Sequence, residues 1–319
     1  MVTTEKKRSK YSKLERKDFP FVYLMVLFPV AQFLVFWVYV NASSIALSFQ
    51  NSETGQFTLN NFEIVFKAFA KADMFNRNLI DPLKRSFTLW LAGELLCFPV
   101  SLITTYVLTR KIAGHYVFRV CYIVPGLMGS IIWTMLICEM VAYNGPITLL
   151  LVEMGVELPY DAQYLGGLLA ADETAFPTIL TIKIVMGLIG NNAVLTGAYT
   201  RVPTELFESA QLDGADFGTE LFKIAIPCIS PTICTLLTFS LCSIFTCDYN
   251  VWLLTNGSGA YGTSTIGFEL FNLTYMLSNE GYSDYGYPAA LGVTLTVMTM
   301  PVVLIGKYVL EKVFTNVEV

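Results

Sequence analysis

The chain has little charge and few of the residues on which enzymes rely. Only 14% of its 319 residues are Asp, Glu, Lys or Arg, whereas 54% are hydrophobic. Soluble proteins carry about 25% charged residues. Because so little charge cannot cover the surface of a soluble body of this size, the composition indicates a helical bundle embedded in lipid.

Histidine and paired cysteine motifs are also scarce. His115 is the single histidine, and the seven cysteines lie in or beside apolar runs without any CxxC spacing. We therefore expect buried apolar cysteines and no metal site. The sequence also lacks a GxxxxGK[ST] phosphate loop and an evident nucleophile–base pair, so we predict no catalytic residues and no directly bound cofactor.

Six apolar windows are long enough to cross a bilayer, which takes about 20 residues. We predict an all-α integral membrane protein with spans at Phe19–Ala46, Ser86–Thr109, Val120–Ala142, Pro177–Tyr199, Ile224–Cys247 and Tyr285–Gly306. The first window is too long for a signal-peptide core and lacks a clear cleavage site, so we expect an uncleaved helix. The run from Met140 to Val152 is broken at Asn144-Gly145-Pro146, which predicts a short surface or re-entrant helix.

The positions of the cations predict the orientation. Fourteen of the 20 Lys and Arg residues fall in the N-terminal tail, in the loops after the second and fourth spans and at the C-terminus. The loops at 143–176 and 248–284 contain none. Both termini are therefore predicted to be cytoplasmic, although the outer loop at 47–85 carries five cations against the rule.

The stretch between the fourth and fifth predicted spans, residues 201–223, has a pattern of its own. Pro203 and Thr204 favour a helix start, and Glu205 and Glu208 follow in the first turns, where negative charge is stabilising. Gly214 favours a left-handed turn before a second helix. The sequence predicts two short cytoplasmic helices with a glycine break, a compact shape that a soluble partner can grip.

This stretch resembles a known motif. Glu208-Ser209-Ala210, Asp213-Gly214-Ala215 and the later Ile224 and Pro227 match the spacing of the EAA loop in permease subunits of binding-protein-dependent ABC importers. Ser209 stands where the family has Ala, and Ile226 where it has Leu. Weaker similarity to carbohydrate permeases extends over residues 84–312, and the long first helix with its outer loop resembles the larger, maltose-type partner.

The resemblance implies a type I ABC importer permease fold in the bacterial cytoplasmic membrane. Its expected parts are a basic tail (1–18), the first helix and outer loop (19–83), a permease core (84–312) and a C-terminal tail (313–319). It further implies a second permease subunit, two ATPase subunits that hold ATP and Mg²⁺, an extracellular binding protein and a sugar or oligosaccharide substrate. The residues implied in ATPase coupling are Glu205, Glu208, Ser209, Ala210, Asp213, Gly214, Ala215 and Phe217.

Polar groups inside the membrane are candidates for the substrate path. They are Glu94, Asn191 and Asn192, and we add Asp248, Tyr249 and Asn250 at the outer mouth of the fifth span. Hydrogen bonding between helices explains such groups about as well as ligand binding does. The alternative function is a secondary transporter that couples to H⁺ or Na⁺ through Glu94. Such transporters often contain internal repeats, and we find none that is convincing.

Overall fold

The protein is built from helices. The computed structural model describes residues 12–51, 54–70, 78–110, 114–190, 192–247, 250–255, 258–260, 262–279 and 285–314. Within these ranges, β pairing is limited to one bridge between Gln50 and Phe57.

The helices fall on either side of the loop at 201–223. Those before it are α1 (Ser12–Phe33), α2 (Val40–Ser48), α3 (Asn60–Ala70), α4 (Ile80–Ala92), α5 (Phe98–Thr109), α6 (His115–Leu127), α7 (Ser130–Val141), α8 (Pro146–Glu153), α9 (Asp172–Gly190) and α10 (Asn192–Tyr199). From the loop onward they are α11 (Thr204–Leu212), α12 (Phe217–Thr219), α13 (Ile226–Cys228), α14 (Ser230–Ser243), α15 (Val251–Leu254), α16 (Ile266–Asn279) and α17 (Gly286–Phe314). Wider π-helical turns occur at Leu34–Tyr39, Gly93–Cys97, Asp161–Leu165 and Glu220–Ala225.

The described helices include five stretches long and apolar enough to cross a membrane. They are Phe21–Ser48, Ile80–Thr109, Ile131–Glu153, Asp172–Tyr199 and Gly286–Phe314. A sixth crossing exists if the bent pair Phe217–Cys228 and Ser230–Ser243, whose halves meet at 71°, forms one span. The all-α membrane architecture predicted from the sequence is confirmed, with five to six spans.

Two of the predicted spans differ from the structure. The window Val120–Ala142 is divided between α6 and α7, because Gly129 has extended backbone torsions (φ −61°, ψ 141°). The apolar stretch there instead runs through α7 and α8. The window Ile224–Cys247 is broken at Ile229, since Pro227 and Pro231 cannot donate backbone hydrogen bonds.

Two buried clusters lie at opposite ends of the bundle. The end that carries residues 201–223, here called the loop end, has a core shared by α5, α10, the Glu220–Ala225 turn and α14. At the far end, α3, α16 and α17 share a second core around Val65, Ile266 and Leu291. The loop therefore packs against a buried core.

Candidate functional site

Residues 201–223 fold as the predicted pair of short helices. α11 ends at Leu212, Gly214 takes the left-handed conformation (φ +79°), and α12 follows. The turn is closed by two backbone hydrogen bonds, from Gly214 N–H to Gln211 O (3.1 Å) and from Ala215 N–H to Ala210 O (2.9 Å). This pair of hydrogen bonds is the Schellman motif at the end of a helix, which requires a residue that tolerates positive φ.

Asp216 caps the second helix, a role that the sequence analysis missed. Its carboxylate accepts a hydrogen bond from the Thr219 backbone N–H at 3.1 Å. Hydrogen bonding from Thr219 holds the pKa of Asp216 below its ordinary value. An aspartate directly before the first turn of a helix is a recognised N-cap, because its carboxylate accepts a hydrogen bond from a backbone N–H two to three residues later. The sequence therefore contained the signal for this cap.

The loop presents a mixed acidic and apolar surface. Glu205, Glu208, Ser209, Asp213 and Gly214 are exposed, whereas Ala210 and Ala215 are partly buried. Four large apolar side chains are also exposed: Leu206 at 37%, Leu212 at 89%, Phe217 at 51% and Phe222 at 63%. Carboxylates beside uncovered apolar groups are typical of a surface that a protein partner covers.

Behind this surface lies a second feature that the sequence analysis did not identify. Glu220 is 5% exposed and forms an ion pair with Arg110, which directly follows α5. The Tyr106 hydroxyl donates to the same Glu220 oxygen at 3.0 Å and accepts from Arg110 Nε at 3.0 Å. The Arg110 guanidinium also lies 4.6 Å from the centre of the Phe207 ring. We call Tyr106, Arg110, Phe207 and Glu220 the Arg110 cluster.

A cavity of about 430 Å³ opens between the end of α5 and the first loop helix. Its walls include Tyr106, Arg110, Phe207, Glu208 and Gln211. The exposed Glu208 and the partly buried Arg110 therefore border the same space.

The structure describes three of the six predicted path residues, Glu94, Asn192 and Asn250, and their surroundings differ. Asn192 is 3% exposed, and its side-chain oxygen accepts hydrogen bonds from the Ser101 and Thr105 hydroxyls, each at 2.8 Å. Its amide donates to Leu188 O at 3.1 Å. These contacts join α10 to α5, so Asn192 serves as an interhelical bridge.

Glu94 also contacts another helix. One of its oxygens accepts a hydrogen bond from the Ser240 hydroxyl, and Trp90 Nε1 donates to that hydroxyl at 2.9 Å. The other oxygen, Oε2, is buried and has no hydrogen-bond partner among the described residues. The group thus links the second span to α14.

Asn250 borders a cavity of about 260 Å³. Trp133, Lys183 and Cys247 line the same cavity, so it combines an aromatic ring, a cation and an amide. Asn250 has φ +61°, the only positive φ outside glycine in the described residues. The remaining predicted path residues, Asn191, Asp248 and Tyr249, lie outside the described residues.

Metal-ligating side chains do not gather anywhere in the described ranges: no three His, Cys, Asp or Glu residues are close enough to hold an ion.

Several curated proteins are similar in sequence. The diacetylchitobiose uptake system permease protein NgcF of Streptomyces coelicolor is 29% identical over 198 residues, which are 60% of this chain and 52% of that protein. This chain therefore spans about half of that relative. The arabinooligosaccharides transport system permease protein AraP of Bacillus subtilis is 24% identical over 288 residues, which are 86% of this chain and 84% of AraP. No protein-family model matches the chain.

The fold has a close match among solved structures. A chain in the crystal structure of a bacterial ABC transporter involved in import of the acidic polysaccharide alginate superposes with a TM-score of 0.73 at 21% identity. The superposition covers 95% of this chain and 99% of that one. A second structure, of a bacterial alginate ABC transporter in complex with a pentasaccharide-bound periplasmic protein, matches equally well (TM-score 0.73).

Proposed function

We propose that the chain is a permease subunit of the carbohydrate-uptake class of ABC importers and that it forms half of a sugar path driven by separate ATPase subunits. In this proposal the chain itself performs no chemistry. A second permease subunit completes the path, an extracellular binding protein delivers the sugar, and ATP and Mg²⁺ are held by the ATPases. The N- and C-termini lie in the cytoplasm of the cell.

The observation that carries the proposal is the folded loop at 201–223. Its two short helices expose Glu208 and Leu212 at one end of the bundle, while the helices beneath them enter the packed core of the loop end. A partner that grips this surface can therefore move the membrane helices as a largely rigid unit. Glu205, Glu208, Ser209, Ala210, Asp213, Gly214, Ala215 and Phe217 are the proposed contacts with the ATPase.

The proposed cargo is a neutral oligosaccharide. Two similar permeases are named for oligosaccharides, diacetylchitobiose and arabinooligosaccharides. The cavity with Trp133, Lys183 and Asn250 offers an aromatic face and hydrogen-bond donors, which suit a sugar ring and its hydroxyls. The structure describes three of the six path residues predicted from the sequence. Among these three, Asn250 has the surroundings that favour contact with substrate.

The test of coupling is a charge reversal on each side of the membrane. Glu208→Lys is expected to leave the chain inserted in the membrane and to weaken copurification of the ATPase. ATP-driven uptake in proteoliposomes is expected to fall at least about tenfold, which corresponds to an increase of roughly 1.4 kcal/mol in the activation free energy of transport. Glu157→Lys is the control, because Glu157 is an exposed carboxylate in the loop at 143–176.

Normal ATP-driven uptake by the Glu208→Lys complex would contradict the coupling role. Uptake by the chain alone, driven by a proton gradient without ATP, would instead support a secondary transporter.

A further inference from the structure

The Arg110 cluster places an ion pair where water does not reach it freely. The Glu220 side chain is 7% exposed and that of Arg110 27%, whereas the pair Lys307–Glu311 on α17 is more than half exposed on both sides. Charges removed from water attract each other strongly, and a buried charge whose partner is lost is costly. The pair is therefore held in one geometry, unlike a pair of solvated side chains.

The Arg110 side chain contacts three separate segments. It donates a hydrogen bond to Tyr106 in the last turn of α5, pairs with Glu220 after α12 and stacks on Phe207 of α11. The two loop helices lie on either side of Gly214, so one side chain touches the chain before and after that turn. Tyr106 reinforces the contact, because its ring lies 5.4 Å from Phe217 and its hydroxyl bonds both charged partners.

We propose that Arg110 and Glu220 are positioning residues that fix the orientation of the loop at 201–223 relative to the second span. Neither residue touches the substrate. The guanidinium lies between the loop helices and the end of α5. A displacement of the loop therefore also displaces the second span. This inference rests on the proposed function for its effect on transport, but its structural part concerns this chain alone.

A positioning role differs measurably from a merely stabilising one. Arg110→Met alone leaves Glu220 buried without a partner and is expected to fold poorly. The double variant Arg110→Met with Glu220→Gln removes both charges, keeps similar volumes and leaves no buried charge, so it is expected to fold and assemble. Any loss of coupling in the double variant then reflects orientation.

The experiment compares three full-length chains in lipid nanodiscs: wild type, the double variant, and the control Lys307→Met with Glu311→Gln. Amide hydrogen exchange is measured on each chain alone. In the double variant, residues 204–219 are expected to exchange about tenfold faster or more, while α16 at the far end is unchanged. The control is expected to match the wild type in both regions.

The same three chains are then assembled with the ATPase and assayed for sugar moved per ATP hydrolysed. The double variant is expected to hydrolyse ATP but to move roughly fivefold less sugar per ATP, a factor typical of coupling between sites.

Unchanged exchange at 204–219, or an unchanged ratio of sugar to ATP, would overturn the proposal. If the wild-type chain binds no ATPase, the proposed function fails, and the exchange measurement still decides whether the pair holds the loop.

Discussion

Gly214 shows how one backbone torsion decides the shape of a functional surface. An added Cβ at Gly214 would meet nothing within 4 Å, so a side chain there is opposed by φ +79° and not by crowding. A residue with a Cβ costs about 1–2 kcal/mol in this conformation, and a β-branched one costs more. The turn between the two loop helices therefore depends on glycine for conformational reasons.

We expect Gly214→Val to abolish most ATP-driven uptake, because the turn that orients α11 and α12 is lost. Gly214→Asn should retain more activity, since Asn tolerates the left-handed region. Gly155→Val is the matched control: Gly155 has the same φ of +79°, is equally uncrowded and lies in the loop at 143–176. Equal losses for the changes at 214 and 155 would indicate general misfolding.

Asp216 gives a prediction about pH. Its pKa is lowered in the folded chain, chiefly by hydrogen bonding from Thr219, below its ordinary value of 3.8. The stabilisation by this cap is therefore fully present above the unfolded-state pKa and is lost as the pH falls through the lower folded-state value. Protection of the Thr219 amide from hydrogen exchange should be constant from neutral pH down to about 4 and fall below it.

Two variants test the same cap. Asp216→Ala should remove protection of the Thr219 amide at every pH, whereas Asp216→Asn should retain most of it without the acidic transition, because Asn caps about as well as Asp. A transition that persists in the Asn variant would show that another group titrates.

At the scale of elements, Asn192 illustrates a polar residue that joins helices. Ser101 and Thr105 are both 0% exposed and both donate to its side-chain oxygen. The sequence marked Asn192 as a path candidate because polarity inside a membrane has only two common explanations. Distinguishing them requires knowing which groups lie about 90 residues away along the chain, as these partners do.

We expect Asn192→Leu to lower the free energy of unfolding of the purified chain by about 1–3 kcal/mol, because two buried hydroxyls lose their hydrogen-bond acceptor. The KM for sugar in the assembled importer should not change. Thr104→Val is the control, since the Thr104 hydroxyl bonds only within its own helix. A raised KM with unchanged stability would place Asn192 in the path.

The fifth predicted span contains a break that hydropathy alone does not predict. The window Ile224–Cys247 contains no charged residue. However, α14 covers only 14 residues, or about 21 Å, against a hydrocarbon thickness of about 30 Å. Pro227 and Pro231 stand in the printed sequence, and their missing N–H groups explain the 71° bend. Two prolines four residues apart are the sequence signal that predicts such a break.

At the scale of the whole molecule, the distribution of cations makes a testable claim about orientation. A reporter that is active only in the cytoplasm should function when fused after Phe314 and fail when inserted at Gly155. The reason is that the loop at 143–176 contains no Lys or Arg, while Lys307 and Lys312 precede the C-terminus. The reverse result at both sites would invert the topology and place the loop at 201–223 outside the cell.

The sequence was most informative where the signal is local. Apolar windows predicted the helical membrane fold, and the Gly214 turn followed from residues within one loop. It did not indicate the role of Glu220, because the burial of Glu220 depends on Arg110, 110 positions earlier in the chain. Charge patterns show which residues are ionised but not which ones the fold brings together.

The last helix, α17, has a mechanical consequence. It begins at the far-end core, where Tyr287, Ala290, Leu291 and Leu295 are buried, and its final residue, Phe314, packs on the loop-end core. Its 29 residues span about 43 Å. A tilt of about 5° over such a length carries one end through roughly 4 Å. Because α17 contacts both cores, we expect a tilt at one end to reach the other, except for the part that a bend at Pro301, inside the helix, absorbs.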